Sequence, residues 1–205
     1  MIRSNTFESR YYKWRHSPQF IEVLKIYDRK EMLPYHNLTH ILRCISLLTD
    51  NRLIEYVTDE LKFSIIFHDI VYDPKSSINE ENSAAVMKSY LQKYYTDDLG
   101  MLEKIASMII STKHRKCDGD LDDETKVLLD VDLEILSSNK EDYREYADGI
   151  RKEFSFVSDD DFSEKRIKFL ESILSRSKIY HFLTDNEEQA RTNIKNEILR
   201  LSREF

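Results

Sequence analysis

Glycine, proline and cysteine are scarce in this chain, and each shortage excludes something. Among 205 residues there are three glycines and three prolines. Sheets need reversals every few residues, and reversals are built chiefly from Gly, Pro, Asn and Asp. So few breakers argue against a hairpin-rich β architecture and predict an all-α fold of long helices joined by short loops. The two cysteines, Cys44 and Cys117, are too few for a disulfide framework and lack the spacing of a zinc site. Reduced thiols are expected. No apolar run approaches the length of a membrane span, and the opening Met-Ile-Arg-Ser-Asn-Thr-Phe-Glu-Ser-Arg holds no apolar signal core. A cytoplasmic protein with no membrane partner is the expectation. Basic charge is short as well: 31 Lys and Arg face 38 Asp and Glu, a formal net charge of −7. Binders of nucleic acid draw affinity from a basic face that neutralises phosphates. A duplex partner is therefore not expected, although a local pocket for one small phosphate is compatible with this balance.

What remains is the composition of a folded domain, 40% hydrophobic and 34% charged, long enough to bury a substantial core. No repeat or linker divides it, which predicts one domain over 1–205. Within it we expect an N-terminal helical extension over 1–30, a central core over 31–136 and C-terminal helices over 137–205. The aromatic-rich segment from Phe7 to Ile26 should pack onto the main body. Met32 to Asn37 reads as a turn, followed by a helix with Leu38, Ile41, Leu42, Ile45 and Leu48 at helical spacing. A second helix begins near Asp59, with Leu61, Ile65, His68 and Tyr72 on one narrow face. Asp73-Pro74-Lys75-Ser76-Ser77 breaks it. Further helices are expected over Glu80–Tyr95, Leu102–Thr112, Leu128–Leu136, Asp142–Phe154, Phe162–Ser175 and Glu187–Ser202. Lys113 to Asp123 is expected to be a mobile loop.

The chemistry sits in His36, His40, His68, Asp69, His114, Asp130 and Asp132. His36 and His40 lie four residues apart, one turn of a helix. Asp69 falls inside an apolar stripe, Ile65-Ile66-Phe67 and Ile70-Val71, and Asp130 and Asp132 lie among Leu128, Leu129, Leu133 and Leu136. An ionised carboxylate is not buried without a cation or dense hydrogen bonding. A single divalent metal answers these demands together. Imidazole and carboxylate ligands suit Zn, Mn, Fe, Co or Ni, and carboxylates also suit Mg, so the metal is not distinguished.

Tyr35-His36-Asn37-Leu38-Thr39-His40, His68-Asp69 and the distant Asp132 resemble the HD-domain superfamily of metal-dependent phosphohydrolases, whose cyclic-nucleotide phosphodiesterases carry a similar first motif. A group of bacterial and phage-type HD proteins is similar in more detail. It shares His-Asp-x-x-Tyr-Asp-Pro (here His68 to Pro74), Asn-Glu-x-x-Ser-Ala (Asn79 to Ala84), Asp-x-Asp-Leu (Asp130 to Leu133), Ile-Arg-x-Glu (Ile150 to Glu153) and Ala-Arg-x-Asn (Ala190 to Asn193). The chain has neither the extra histidine pair of two-metal members nor the Gly-rich and glutamine features with which phosphodiesterases hold a base. The resemblance implies an HD-type helical bundle over 31–136 with additional C-terminal helices. It implies His40, His68, Asp69 and Asp132 as metal ligands, with Asp130 the alternative to Asp132. Asp69 then belongs to the catalytic machinery, and His36 matches the histidine that protonates the leaving alkoxide.

A small phosphorylated substrate, a nucleotide or related compound, would be cleaved by metal-bound hydroxide attacking phosphorus. Lys113, His114, Arg151 and Arg191 are candidates to hold its phosphate. Glu80 either favours a helix N-terminus through the macrodipole or binds a metal-bound water. A non-catalytic nucleotide-binding module and a di-iron oxygenase of the same fold are the other readings. The oligomeric state is open, with a homodimer among the options.

Overall fold

Helix after helix in this chain starts on a side chain able to accept a backbone N–H. Ser17, Asn37, Thr58, Asp98, Asp122, Asn139 and Ser158 each do so one to three residues into the helix that follows. The structure, a computed structural model, describes residues 10–114 and 120–203. Among them are α1 (Arg10–Arg15), α2 (Pro18–Ile26), α3 (Leu38–Leu47), α4 (Asp59–Phe67) and α5 (Asn79–Tyr94). There follow α6 (Leu99–Ser111), α7 (Asp123–Asp132), α8 (Lys140–Glu153), α9 (Asp159–Leu174) and α10 (Glu187–Leu201). Short 3-10 segments cover Ile54–Tyr56, Glu134–Ser137 and Thr184–Asn186, and no strand occurs among the described residues. The protein is all-α. None of the described helices is long and apolar enough to cross a membrane.

The organising element is α4. Leu61, Phe63, Ile65, Ile66 and Phe67 are all fully buried, so this helix is covered on every side. It stands between two apolar clusters. Phe63, Ile66 and Phe67 belong to one, with Tyr11 and Trp14 of α1, Val23 of α2, Ile41 of α3 and the inner faces of α5 and α6. Leu61 and Ile65 belong to the other, built from α7 to α10 and Leu48 and Leu53. The aromatic N-terminal segment is thus packed on the main body, split into two helices at Ser17-Pro18, where Ser17 caps and Pro18 takes the first helical turn.

Two expectations need correcting here. The apolar face that was to include Tyr72 stops early: α4 ends at Phe67, His68 caps it and Tyr72 lies beyond the helix. The helix expected over Leu128–Leu136 ends at Asp132 and tightens into the 3-10 segment Glu134–Ser137. Of the loop expected over Lys113–Asp123, residues 115–119 lie outside the described residues, and Asp123 already starts α7.

Asp130 and Asp132 have parted company by the end of α7. Asp130 is fully buried and turns toward the C-terminal part of the chain. Its carboxylate accepts three consecutive backbone N–H groups, from His181 (2.8 Å), Phe182 (2.7 Å) and Leu183 (3.0 Å). That is the dense hydrogen bonding a buried carboxylate requires. Asp130 is therefore the tie between α7 and the segment before α10, and not a member of the histidine cluster. Asp130→Ala should destabilise the fold by about 1–3 kcal/mol, because the buried Leu183 N–H, with those of His181 and Phe182 beside it, loses its acceptor. Urea denaturation measures this, and metal content of the folded fraction should stay at the wild-type value.

Candidate metal centre

The centre is assembled where α3, α4 and α7 meet. Asn37 sets the entry to α3: its side chain accepts Thr39 N–H and donates to the carbonyls of Leu33 and Pro34, closing the turn on the helix start. His40 then falls in the first turn, on the buried side. His68 and Asp69 follow the end of α4 in a turn held from several directions. Arg29 donates to the carbonyls of His36, Asp69 and Ile70, pinning that turn to the Tyr35-His36 turn. Ser83 bonds both the N–H and the C=O of Val71, and Asn79 bonds both those of Asp73. The backbone from Asp69 to Asp73 is thereby fixed by side chains of α5.

Four donor atoms converge. His40 Nε2 lies 3.1 Å from His68 Nε2, 3.6 Å from Asp69 Oδ2 and 3.3 Å from Asp132 Oδ1. His68 Nε2 lies 3.2 Å from Asp69 Oδ2 and 3.4 Å from Asp132 Oδ1. An ion about 2.0–2.2 Å from each ligand needs neighbouring donors roughly 2.8–3.6 Å apart, which is the spacing seen here. The tautomer of His68 is also suitable. Its Nδ1 lies 2.8 Å from the Ile65 carbonyl, which can only accept, so Nδ1 carries the hydrogen and neutral His68 offers a lone pair at Nε2. Residues, tautomer and distances fit a divalent metal, and His40, His68 and Asp69 form a buried cluster that could hold one. Cys44, in the turn of α3 after His40, makes a second possible grouping with His40 and Asp132. Its thiol is pushed well up by burial and by the neighbouring Asp132 and Asp69, and Sγ stays 3.9 Å from the His40 ring nitrogens.

Electrostatics say how much positive charge the centre wants. Burial alone would raise both acids, but His68, His36 and His40 hold Asp69 below the usual carboxylate range, and His114, His40 and His68 hold Asp132 well below it. Burial opposes a charge on His68, yet Asp69 and Asp132 outweigh it and keep that imidazole well above its ordinary value. Protonated imidazole is the substitute for a metal cation in this arrangement.

The remaining expected residues divide into those brought to the centre and those kept from it. His36 is not on a helical face with His40, because α3 starts two residues later at Leu38. It sits in the preceding turn, its ring stacked 3.7 Å over Tyr72, and its Nδ1 lies 2.6 Å from Glu153 Oε2. Glu153 Oε1 accepts the N–H groups of Tyr35 and His36, both at 2.8 Å. Burial would raise the Glu153 carboxyl, but His36 and these N–H groups leave it lowered. His114 is present too: its Nε2 meets Asp132 Oδ2 at 2.7 Å, in a left-handed backbone conformation with φ 51°. Glu80, in the first turn of α5, and Lys113 line a cavity together with His36, Asp69, His114 and Asp132, but Lys113 is already matched by Glu81 at 2.6 Å and Glu80 at 3.7 Å.

Arg151 and Arg191 are not brought to the cavity. Arg151 binds Asp159 and the carbonyls of Phe154 and Val157, tying α8 to α9. Arg191 binds Glu187 and the carbonyls of Leu174 and Arg176, closing the end of α9 against α10. Glu153 is the functional candidate that sequence reasoning passed over. Its signal was present in Ile-Arg-x-Glu, where the arginine rather than the glutamate drew attention.

Two outcomes follow. The purified protein should hold about one divalent ion per chain, and Asp69→Ala or Asp132→Ala should abolish it by elemental analysis while Asp130→Ala does not. Glu153 has a depressed folded pKa, so its stabilisation is full above the ordinary value of 4.5 and is lost as pH falls through the folded value. The stability gap between wild type and Glu153→Gln, measured by urea denaturation, should therefore be widest near neutrality and narrow below that pH. No protein-family model, curated protein or solved structure matches the chain, so the centre is read from its own residues.

Proposed function

We propose that the chain is a metal-dependent phosphohydrolase of HD type that cleaves a small phosphoester at the His40–His68–Asp69–Asp132 centre. The observation that carries this reading is the position of the centre. Asp69, Asp132, His36 and His114 all line one cavity of about 590 Å³, while His40 and His68 stay buried behind them. A ligand in the cavity therefore meets carboxylates and imidazoles together. When bound, a divalent ion supplies a water of lowered pKa and a Lewis acid for a phosphoryl oxygen.

The chain's own residues do the rest. Glu153 holds His36 by Nδ1 and by the backbone of its turn, and the Tyr72 ring fixes the imidazole plane. Nε2 is then the ring atom left for substrate, and it delivers a proton to the leaving oxygen. A buried carboxylate on the far nitrogen orients the imidazole, which suits a proton donor. His114 steadies Asp132 from the outer side through Oδ2. Charge developing on the phosphoryl oxygens calls for nearby cations. Lys75 and Lys165 line the cavity as cations, whereas Arg151 and Arg191 are held by Asp159 and Glu187 away from it.

The test is a metal-supplemented screen of phosphomonoesters, phosphodiesters and nucleotides, read by mass spectrometry. Failure to hydrolyse any of them with metal bound would sink the reading. The division of labour between the two histidines gives a sharper outcome. His40→Ala should lose metal. His36→Ala should keep it and lose roughly 10²–10⁴-fold in turnover, the usual size of a general-acid contribution. For a p-nitrophenyl ester, whose leaving group needs no proton, that loss should shrink. Equal loss of metal in both variants would make His36 a ligand instead.

A further inference from the structure

The cavity has two unlike walls. The wall built by α3, α4 and α7 carries the metal centre. The other part of the lining comes from the end of α8, the turn after it and α9. It presents Ile150, Phe154, Phe156, Val157, Phe162 and Phe169. None of these side chains can donate or accept a hydrogen bond. The neighbouring Arg166 is already committed. Arg166 forks onto buried Glu197, with Nε to Oε1 at 2.9 Å and Nη2 to Oε2 at 3.2 Å. Its guanidinium also lies 5.1 Å from the Tyr146 ring and 5.5 Å from that of Phe169. Lys75 and Lys165 add positive charge to this wall, the Lys75 ammonium lying 5.0 Å over the Phe156 ring.

Two of the rings are incompletely covered. Phe156 stays 47% exposed and Phe169 37% exposed, although both line the cavity. An apolar surface left open inside a concave site, beside a few convergent polar groups, is the usual form of a small-molecule pocket.

We propose that the organic group of the substrate is apolar, an aryl or alkyl residue held on Phe156, Phe162 and Phe169 while its phosphate meets the metal centre. This rests on the phosphohydrolase reading above. Specificity then comes from apolar contact rather than from hydrogen bonds to the organic part. A nucleoside would set ribose hydroxyls and a base edge against a largely apolar lining. Each polar group buried unpaired weakens binding by about tenfold. An apolar chain gains instead, by about threefold to fourfold for each methylene buried.

The experiment is a homologous series, ethyl to hexyl phosphate, with the 205-residue chain loaded with Mn²⁺. The leaving alkoxides differ little in basicity, so the slope reads contact with the wall. kcat/KM should rise about threefold to fourfold per methylene, and hexyl phosphate should exceed adenosine and uridine monophosphate by more than about tenfold. Phe156→Ala and Phe169→Ala each remove a ring that is only partly covered by the fold. Each should cut the hexyl-to-ethyl ratio by roughly a further three- to tenfold. A flat series, or a preference for either nucleotide, overturns the proposal.

Binding of ethyl- to hexylphosphonate, which cannot be hydrolysed, is measured by calorimetry in parallel. If no ester is turned over but phosphonate affinity still climbs with chain length, the hydrolase reading fails and the apolar pocket stands. If affinity is flat, the pocket proposal falls whatever the activity.

Discussion

Two imidazole nitrogens and two carboxylate oxygens are held within 3.6 Å of His40 Nε2 or His68 Nε2, in a place where little water reaches. Such a group of donors cannot persist without positive charge at its middle, because the carboxylates repel and the lone pairs face one another. A metal or bound protons must supply it. Much of the surrounding structure keeps these donors from drifting apart. α4 is buried all round, so His68 at its end is anchored by two cores at once. Arg29, Asn79 and Ser83 then fix the backbone that carries Asp69.

The chain separates chemistry from support in a regular way. Within Asp130-Val131-Asp132 one acid joins the centre and the other grips the backbone before α10. Within Asn79 to Ala84, Asn79 and Ser83 hold the Asp69–Asp73 turn while Glu80 faces the cavity. Within Ile150 to Glu153 the arginine braces α8 against α9 and the glutamate orients His36. Within Ala190 to Asn193, Arg191 closes the end of α9 and Asn193 donates to the carbonyls of Leu136 and Ser138. A motif position adjacent to a functional residue is here more often a clamp than a second reagent.

This pattern explains what was legible in the sequence. Caps and apolar spacing mark helices directly, so the all-α class and most helix limits could be read within a few residues. Acids inside apolar runs pointed to a buried cluster, and His40, His68, Asp69 and Asp132 do converge where an ion could be held. What could not be read is direction across the fold. Nothing local says that Arg151 points at Asp159, or that Glu153 crosses to the turn of His36, since those choices depend on how α8 lies against the rest. Likewise the aromatic wall of the cavity is scattered over Phe154, Phe156, Phe162 and Phe169, where spacing alone resembles any buried helix face.

The reach of Glu153 also bears on how the molecule is made. Its partner His36 is 117 residues away in the chain, and Asp130 waits for Phe182, 52 residues further on. A nascent chain on the ribosome can form α3, α4 and the N-terminal aromatic core early, since these contacts are comparatively near in sequence. The Nδ1 of His36 and the carboxylate of Asp130 wait for partners, Glu153 and the backbone of 181–183, that are made much later in the chain. Long-range closure of this kind comes late in folding and exposes intermediates to association. An ion captured by His40, His68 and Asp69 during synthesis would hold together the half already formed, before the C-terminal helices close on it.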